Sequence, residues 1–410
     1  RLFRALQGAQ ARYLATPESE RVYTVEEAIK LLAEYVVLAI GHSGRSHDSE
    51  LLRSLPGLLE PFVPLSPMLD AIWNNAVATA FGQDDGQYAL ARERWIAVLE
   101  KLDALKSSDT PYVDAIANAV AFGVGLMEAQ LGMPSATSWA ERLDRDPAQR
   151  VAALQLRRVV RMQQGDARGA DRFRRQAELL SLSSRMPQMF KSLLAVELTA
   201  CANTRDLAGI QDVVERMRPV AARFEHWQPN LLYAEASFHL VRGDYAAAKA
   251  KCEACIALTT PDAAGVSSNT LMWNAAHVCL AEALLATNQA SEAHAVVLRL
   301  SAPRGAQKAH PLRPEAERVM AQIEARLGDA GAVPRIEALI AHQRELGVSG
   351  LRLGLSYEAR CQIAIWQRDA AAFEEYAVLT AHEYRYGADS ALGARYDRMV
   401  NEARRQGLQT

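Results

Sequence analysis

Short turns recur at a nearly constant spacing along most of this chain, and no other feature limits its possible folds as strongly. The last residues of six of these turns lie at positions 166, 206, 244, 289, 329 and 369, with separations of 40, 38, 45, 40 and 40 residues. Gly or Asp occurs in most of the turns. Gly accepts the left-handed conformation that ends a helix, and Asp caps the next helix. A period near 40 in a helical chain predicts stacked helix pairs, with two helices and two turns in each unit.

The segments between the turns show helical periodicity, and strand signals are nearly absent. The chain has 410 residues, of which 50% are hydrophobic and 23% charged, a composition typical of globular proteins and not of disorder. Its net charge of −2 gives no electrostatic indication of nucleic-acid binding. The longest largely apolar stretch, Ala115 to Met127, is too short to span a bilayer, and no secretion signal opens the sequence. Five cysteines do not suggest a disulfide framework, so we expect reduced thiols and a cytoplasmic location.

Three of the units share a residue pattern as well as a period. A Gly or Asn turn is followed five residues later by a small residue, then by bulkier residues four and seven positions beyond it. The small residues are Ala91, Ala248 and Ala293, and each would let two helices approach closely. This pattern resembles the tetratricopeptide repeat, although the period is near 40. The resemblance implies an all-α, right-handed superhelical solenoid of about eight helical hairpins over residues 68–410. Residues 1–67 are predicted to form an N-terminal helical section that ends in a proline-rich connector.

A second resemblance concerns the strip from Leu55 to Leu99, which is similar to the helical C-terminal region of large bacterial serine/threonine kinases that carry an ATPase module and repeats. It implies a signalling role for the chain. No nucleotide-binding or kinase motif is present in the sequence, so any catalysis is expected in an attached domain.

Within the N-terminal section, Thr24 to Glu27 read as a helix capping box, and Gly41 to His47 as a polar loop. A phosphate-binding loop would need a preceding strand and a Lys, which are absent, so we interpret this loop as solvated.

The CxxC motif at Cys252 and Cys255 could indicate redox chemistry or half a zinc site. It falls in mid-helix, at the two positions where the repeat pattern packs its second helix. Packing is therefore the favoured interpretation, with a metal site that includes His277 and Cys279 as an alternative. No catalytic, cofactor-binding or metal-binding residue is assigned.

Two surfaces are candidates for partner binding. Residues 142–185 contain 11 Arg and 5 acidic residues, so this segment could bind an acidic protein, or be a solvated face with internal ion pairs. The basic residues chosen are Arg157, Arg158, Arg161, Arg172, Arg174 and Arg175. The second surface is the concave groove, where amide, phenol and carboxylate groups suit an extended peptide. The groove residues chosen are Asn230, Tyr233, Ser237, Glu282, Glu358 and Gln362.

The sequence therefore predicts a non-catalytic interaction or sensor region of a bacterial signalling protein, with a protein or peptide partner in the concave groove. A nucleic-acid or membrane partner is not expected. The alternative is a stand-alone regulator that senses a small molecule or signal peptide.

Overall fold

The structure is a computed structural model that describes residues 2–17, 57, 59–65, 67–84, 88–105, 113–183, 193–260, 269–301, 313–385 and 391–408. Within these ranges the chain forms eighteen α-helices and three 3-10 helices, with no strand, which confirms the all-α prediction. The α-helices are α1 Leu2–Ala15, α2 Pro67–Asp84, α3 Tyr88–Leu105, α4 Val113–Gln130, α5 Ala136–Asp144, α6 Arg150–Gln163, α7 Ala167–Ser183, α8 Leu193–Thr204, α9 Leu207–Arg223, α10 Gln228–Arg242, α11 Tyr245–Thr259, α12 Thr270–Ala286, α13 Ala290–Ser301, α14 Pro314–Leu327, α15 Ala332–Glu345, α16 Leu351–Gln367, α17 Ala370–Glu383 and α18 Ala391–Arg405.

Helices α2 to α17 pack as eight consecutive pairs, beginning with α2 and α3 and ending with α16 and α17. The first helix of most pairs also contacts the first helix of the next pair, and α18 packs against α16 and α17. This neighbour-to-neighbour arrangement is that of a helical solenoid, and the number of pairs agrees with the expected eight hairpins.

The turns between paired helices have the geometry that their sequence predicts. One of the first two residues after the first helix is left-handed in six turns, at Gly165, Arg205, Gly243, Asn288, Gly328 and Arg368. The following residue donates its amide to a carbonyl five residues earlier, as Asp206 does to Cys201 at 2.9 Å, which completes a Schellman motif. In five of these turns that residue is an Asp. In four of them its carboxylate accepts an amide hydrogen bond from the first turn of the next helix, and Asp329 accepts one from Gly331, just before α15.

The core runs along the solenoid between its helix layers. Ala91, Ala248 and Ala293 are fully buried, as expected for positions that allow close helix approach. Tyr13 of α1 stacks on Phe62 of the first 3-10 helix with ring centroids 4.8 Å apart, and both residues belong to the core of the first hairpins. The proline-rich connector contains the 3-10 helix Glu60–Leu65, and Pro67 starts α2. The capping box at Thr24 to Glu27 and the loop at Gly41 to His47 lie outside the described residues. The domain boundary at residue 67 stays a prediction.

The solenoid also closes on itself, which its sequence pattern does not predict. The Ser349 hydroxyl donates to the Gly132 carbonyl across 217 positions, and Arg395 Nη1 donates to the Asn203 carbonyl at 2.7 Å. The backbone of Gly350 lies against the Gln163 carbonyl, and the side chain of Leu392 covers Gly165. We call these four pairings the closing contacts.

Helix contacts follow the same path, since α2 meets α12, and α8 meets both α16 and α18. Of these five helices, α2, α8, α12 and α16 are the first helices of their pairs, and α18 is the final unpaired helix. First helices therefore face the interior, and the closing contacts join the second, third and fourth pairs to the C-terminal end.

Candidate ligand-binding surface

A group of charged side chains lies where the closing contacts bring α8 and α18 together. We call it the concave charge cluster, and its members are Arg205, Glu282, Arg318, Glu358, Tyr384, Arg395 and Arg398. The residues come from α12, α14, α16, α18 and two turns, so only the closed arrangement assembles them.

Glu358 of α16 has the most partners in the cluster. Arg395 and the Tyr384 hydroxyl both donate to Glu358 Oε2. Burial disfavours the charged carboxylate, but the charge and hydrogen bond of Arg395 outweigh this effect, so the pKa of Glu358 lies below its usual value. Burial, followed by the nearby Glu358 charge, raises the pKa of the Tyr384 phenol well above its usual value. Glu358 is therefore an ionised acceptor at neutral pH, and Tyr384 is a protonated donor.

Glu282 of α12 pairs with Arg318 of α14, with 3.5 Å between Oε1 and Nη2. Glu282 also interacts electrostatically with Arg395 and Arg205, so it faces the same space as Glu358. Both residues were predicted to line the groove, and the structure brings them into one neighbourhood. Gln362, also predicted there, lies one turn after Glu358 on α16 and donates to Glu402 of α18 at 2.9 Å. Helix α18 therefore covers Gln362, and this residue does not line an open groove wall.

Arg205 is one of five cluster members that the sequence analysis did not predict, with Arg318, Tyr384, Arg395 and Arg398. It lies in the turn between α8 and α9, and its side chain is exposed. Its guanidinium makes no hydrogen bond or ion pair with any described residue. The like charge of Arg395, followed by the protein that surrounds the guanidinium, lowers the pKa of Arg205. Arg205 is therefore accessible to solvent and yet surrounded by protein, as expected for a residue in the wall of an interior cavity.

The three groove residues predicted on α10 are not exposed. Asn230 is 7% exposed and accepts a hydrogen bond from Asn269 at 3.1 Å, and Ser237 is 2% exposed and donates to the Tyr233 carbonyl at 2.9 Å. Burial raises the pKa of the Tyr233 phenol, which packs beside Cys279 and Cys252. The expectation that these side chains form an exposed inner face is wrong, because adjacent helix pairs cover them. Their part in partner binding stays an untested prediction.

Five of the six arginines chosen in the basic segment form ion pairs. Arg157 contacts Asp144 at 2.8 Å, Arg161 contacts Asp166 at 3.7 Å, and Arg158 pairs with Glu197 while only 7% exposed. On α7, Arg174 and Arg175 both pair with Asp171, and Arg174 also reaches Glu178.

Arg172 lies on the same helix, exposed, with its guanidinium 5.5 Å from the Phe173 ring centroid. Because Arg158 is only 7% exposed, it is part of the core rather than of a surface. The remaining arrangement favours the interpretation of a solvated face with internal ion pairs.

The CxxC cysteines pack as the repeat pattern predicts. Cys252 and Cys255 are fully buried in α11, and all five cysteines are free thiols. Burial raises the pKa of Cys255 to about 12, so it is protonated at neutral pH. Among the described residues, no group of three or more His, Cys, Asp or Glu side chains is placed to hold a metal ion.

A separate pocket of about 260 Å³ opens between α9, α10 and α11. Val214 and Phe238 give it an apolar wall, and Arg218 and Lys251 at its edge both pair with Glu235. Arg218 and Lys251 therefore share one carboxylate at the edge of this pocket.

Within the part of the chain that the structure describes, no helix combines the length and apolar character needed to cross a membrane. Comparison of the chain with protein-family models and with curated protein sequences gives no match.

Proposed function

We propose that this chain is a non-catalytic recognition region, built from tetratricopeptide-like repeats, that binds a peptide or protein partner at its concave interior. The observation that carries the proposal is the concave charge cluster, in which residues from distant helix pairs converge on one space. The repeat assignment is supported by the left-handed turns and by the buried Ala91, Ala248 and Ala293, which match the spacing of that repeat.

The chemistry of the cluster suits binding better than catalysis. A general acid or base works best with a pKa near the operating pH. Glu358 is held ionised by Arg395, and Tyr384 is held protonated by burial, so neither group is poised to exchange a proton at neutral pH. Fixed donors and acceptors of this kind can orient a ligand without reacting with it.

A second candidate function is a sensor for a small molecule or short signal peptide. The closing contacts favour it, because they join first helices that would otherwise stand apart as the walls of an open groove. A ligand that enters the closed interior has to be small or extended, whereas a folded partner would require the contacts to open.

The test is a peptide-display selection on the whole chain, followed by binding assays with two charge-reversal variants. Glu282→Lys changes the interior, and Glu253→Lys makes the same change on α11, where Glu253 is exposed. We expect the selected peptides to bind the chain and Glu253→Lys alike and to lose affinity for Glu282→Lys.

Equal binding to both variants would place the peptide site elsewhere. Native mass spectrometry of the chain purified from its own cells tests the second candidate, which requires a retained small molecule or short peptide.

We also propose that the region works in the cytoplasm as part of a larger signalling protein, as the resemblance to bacterial kinase repeats implies. Immunoblotting of native cells with an antibody against this chain checks the size. A band well above 45 kDa supports an attached effector domain, and a band at 45 kDa removes the kinase-associated proposal.

A further inference from the structure

The backbone of Arg205 is in a conformation that other turns give to glycine. Its φ is 57°, and the equivalent positions at Gly165, Gly243 and Gly328 have φ values of 69°, 84° and 77°. A residue with a Cβ is strained in the left-handed region, and such strain persists where the surrounding structure or function maintains it. Asn288 and Arg368 occupy equivalent positions with φ values of 61° and 57°, so this turn accepts a side chain, and the case for a site at Arg205 rests on its surroundings.

Two arginines of α18, Arg395 and Arg398, act on Arg205 as like charges, and the effect of Arg395 is the larger. Arg395 Nη1 donates to the carbonyl of Asn203, two residues before Arg205, so α18 docks directly on this turn. Arg398 lies on the same face of α18 as Arg395, one turn further on, and it too is exposed with no hydrogen bond or ion pair to a described residue. Glu358 and Glu282 are the carboxylates that act electrostatically on Arg205, and these already pair with Arg395 and Arg318.

Four guanidinium groups thus lie near two carboxylates, and the guanidinium groups of Arg205 and Arg398 have no hydrogen bond or ion pair with a described residue. A guanidinium group binds the oxygens of carboxylate and phosphate groups through paired hydrogen bonds, with a gain that is largest where water is partly excluded. An anion in this space would also relieve the repulsion between Arg205 and Arg395.

We propose that Arg205 and Arg398 form a binding site for the oxyanion group, phosphate or carboxylate, of a small ligand. The site lies between the turn after α8 and helix α18, so one ligand would contact both sides of the closed solenoid. This inference rests on the proposed function, because it names the chemistry of the ligand that the concave interior recognises.

The experiment is calorimetric titration of the full chain with inorganic phosphate and, separately, with malonate, at constant ionic strength maintained with chloride. Arg205→Asn removes the guanidinium, and Asn already occupies the same left-handed position at Asn288, so this variant is compatible with the turn. Arg368→Asn is the matched control. Arg368 has the same φ of 57° and the same Arg-Asp turn, and it is exposed after α16.

We expect saturable binding of one anion, at least tenfold weaker in Arg205→Asn and within twofold of the original chain in Arg368→Asn. Arg398→Gln should also weaken binding by several-fold. Whether phosphate or malonate binds identifies the ligand group. Without ligand, Arg205→Asn should be at least as stable as the original chain, because strain and repulsion are both reduced.

Three results would each overturn the inference: no saturable binding of either anion, equal losses in Arg205→Asn and Arg368→Asn, or a lower melting temperature of ligand-free Arg205→Asn. The peptide-display assay separates this failure from failure of the proposed function. Peptides that bind through Glu282 while both anions fail would leave the recognition region intact and remove only the oxyanion site.

Discussion

Gly132→Ala tests the closure of the solenoid directly. Gly132 follows α4 with a φ of 71°, and its carbonyl accepts the Ser349 hydroxyl from the turn before α16. A Cβ at this position would lie 2.1 Å from the Ser349 carbonyl oxygen, where ordinary contact begins at 3.4 Å. The neighbouring atom belongs to the backbone and cannot rotate away, so the turn at Ser349 has to move by about 1.3 Å relative to Gly132.

The effect on stability has two parts. Any Cβ in the left-handed region costs about 1–2 kcal/mol. The overlap with Ser349 adds about 1–3 kcal/mol of overpacking, and loss of the Ser349 hydrogen bond adds about 1 kcal/mol. Gly243→Ala is the matched control, since Gly243 has a φ of 84° and a Cβ there would meet no described atom within 4 Å. Gly243→Ala should therefore show only the cost of a Cβ in the left-handed region.

The assay is urea denaturation of both variants, combined with hydrogen exchange of residues 349–351. Because a solenoid can unfold in parts, exchange reports the local opening that a single denaturation midpoint conceals. We expect Gly132→Ala to lose about 2–4 kcal/mol more than Gly243→Ala and to exchange faster at residues 349–351. Small-angle X-ray scattering should show a larger radius of gyration for Gly132→Ala only.

Equal destabilisation of the two variants, with unchanged exchange at residues 349–351, would refute the closed arrangement. It would mean that the turns at Gly132 and Ser349 are apart in solution and that the interior is open. The charged groups of α18 would then not face α8, and the concave charge cluster would not form.

Three further changes test the interior and the solenoid, each by urea denaturation. Arg395→Met leaves Glu358 buried without its counter-charge and should cost about 3–5 kcal/mol at pH 7. The depressed pKa of Glu358 contributes stability above its usual value of 4.5 that is lost on acidification, and in Arg395→Met this dependence should weaken or reverse. Gly125→Ala places a Cβ 2.6 Å from Leu156 and should cost about 1–3 kcal/mol, whereas Gly123→Ala, two residues earlier with open contact at 3.9 Å, should gain about 0.5–1 kcal/mol. Asp369→Ala removes the cap of α17 and should cost about 1 kcal/mol, and an unchanged midpoint would contradict that role.

The local features of this fold could be predicted from sequence because neighbouring residues determine them. A left-handed residue followed by Asp ends one helix and caps the next within a few positions, so the spacing of these turns gives the helix pairs. The small residue five positions after the turn, as at Ala248, reports the close approach of two helices in one hairpin. Both signals depend on contacts between residues that are close in sequence.

The interior could not be predicted in the same way. Ser349 meets Gly132 only because small rotations between successive hairpins add up along the solenoid. No residue pattern in the sequence predicts this total rotation. The positions predicted for the groove were counted from the turns, so an error in rotation moved Asn230 and Ser237 from an exposed face to a buried one. In the basic segment, sequence shows the charge of Arg158 but not the distant Glu197 that pairs with it, so it could not show that Arg158 is buried.

Closure changes what binding in the interior can do. In an open solenoid each unit contacts only its neighbours, so a ligand stabilises the units that it touches. Here Arg205 belongs to the fourth helix pair and Arg398 to the last helix, and the closing contacts join these two parts directly. An anion held by both arginines would stabilise the closed form increasingly as its concentration rises, while the repulsion between Arg205 and Arg395 opposes closure in its absence. The arginine that makes the turn unfavourable is then the residue that couples ligand binding to the shape of the whole solenoid.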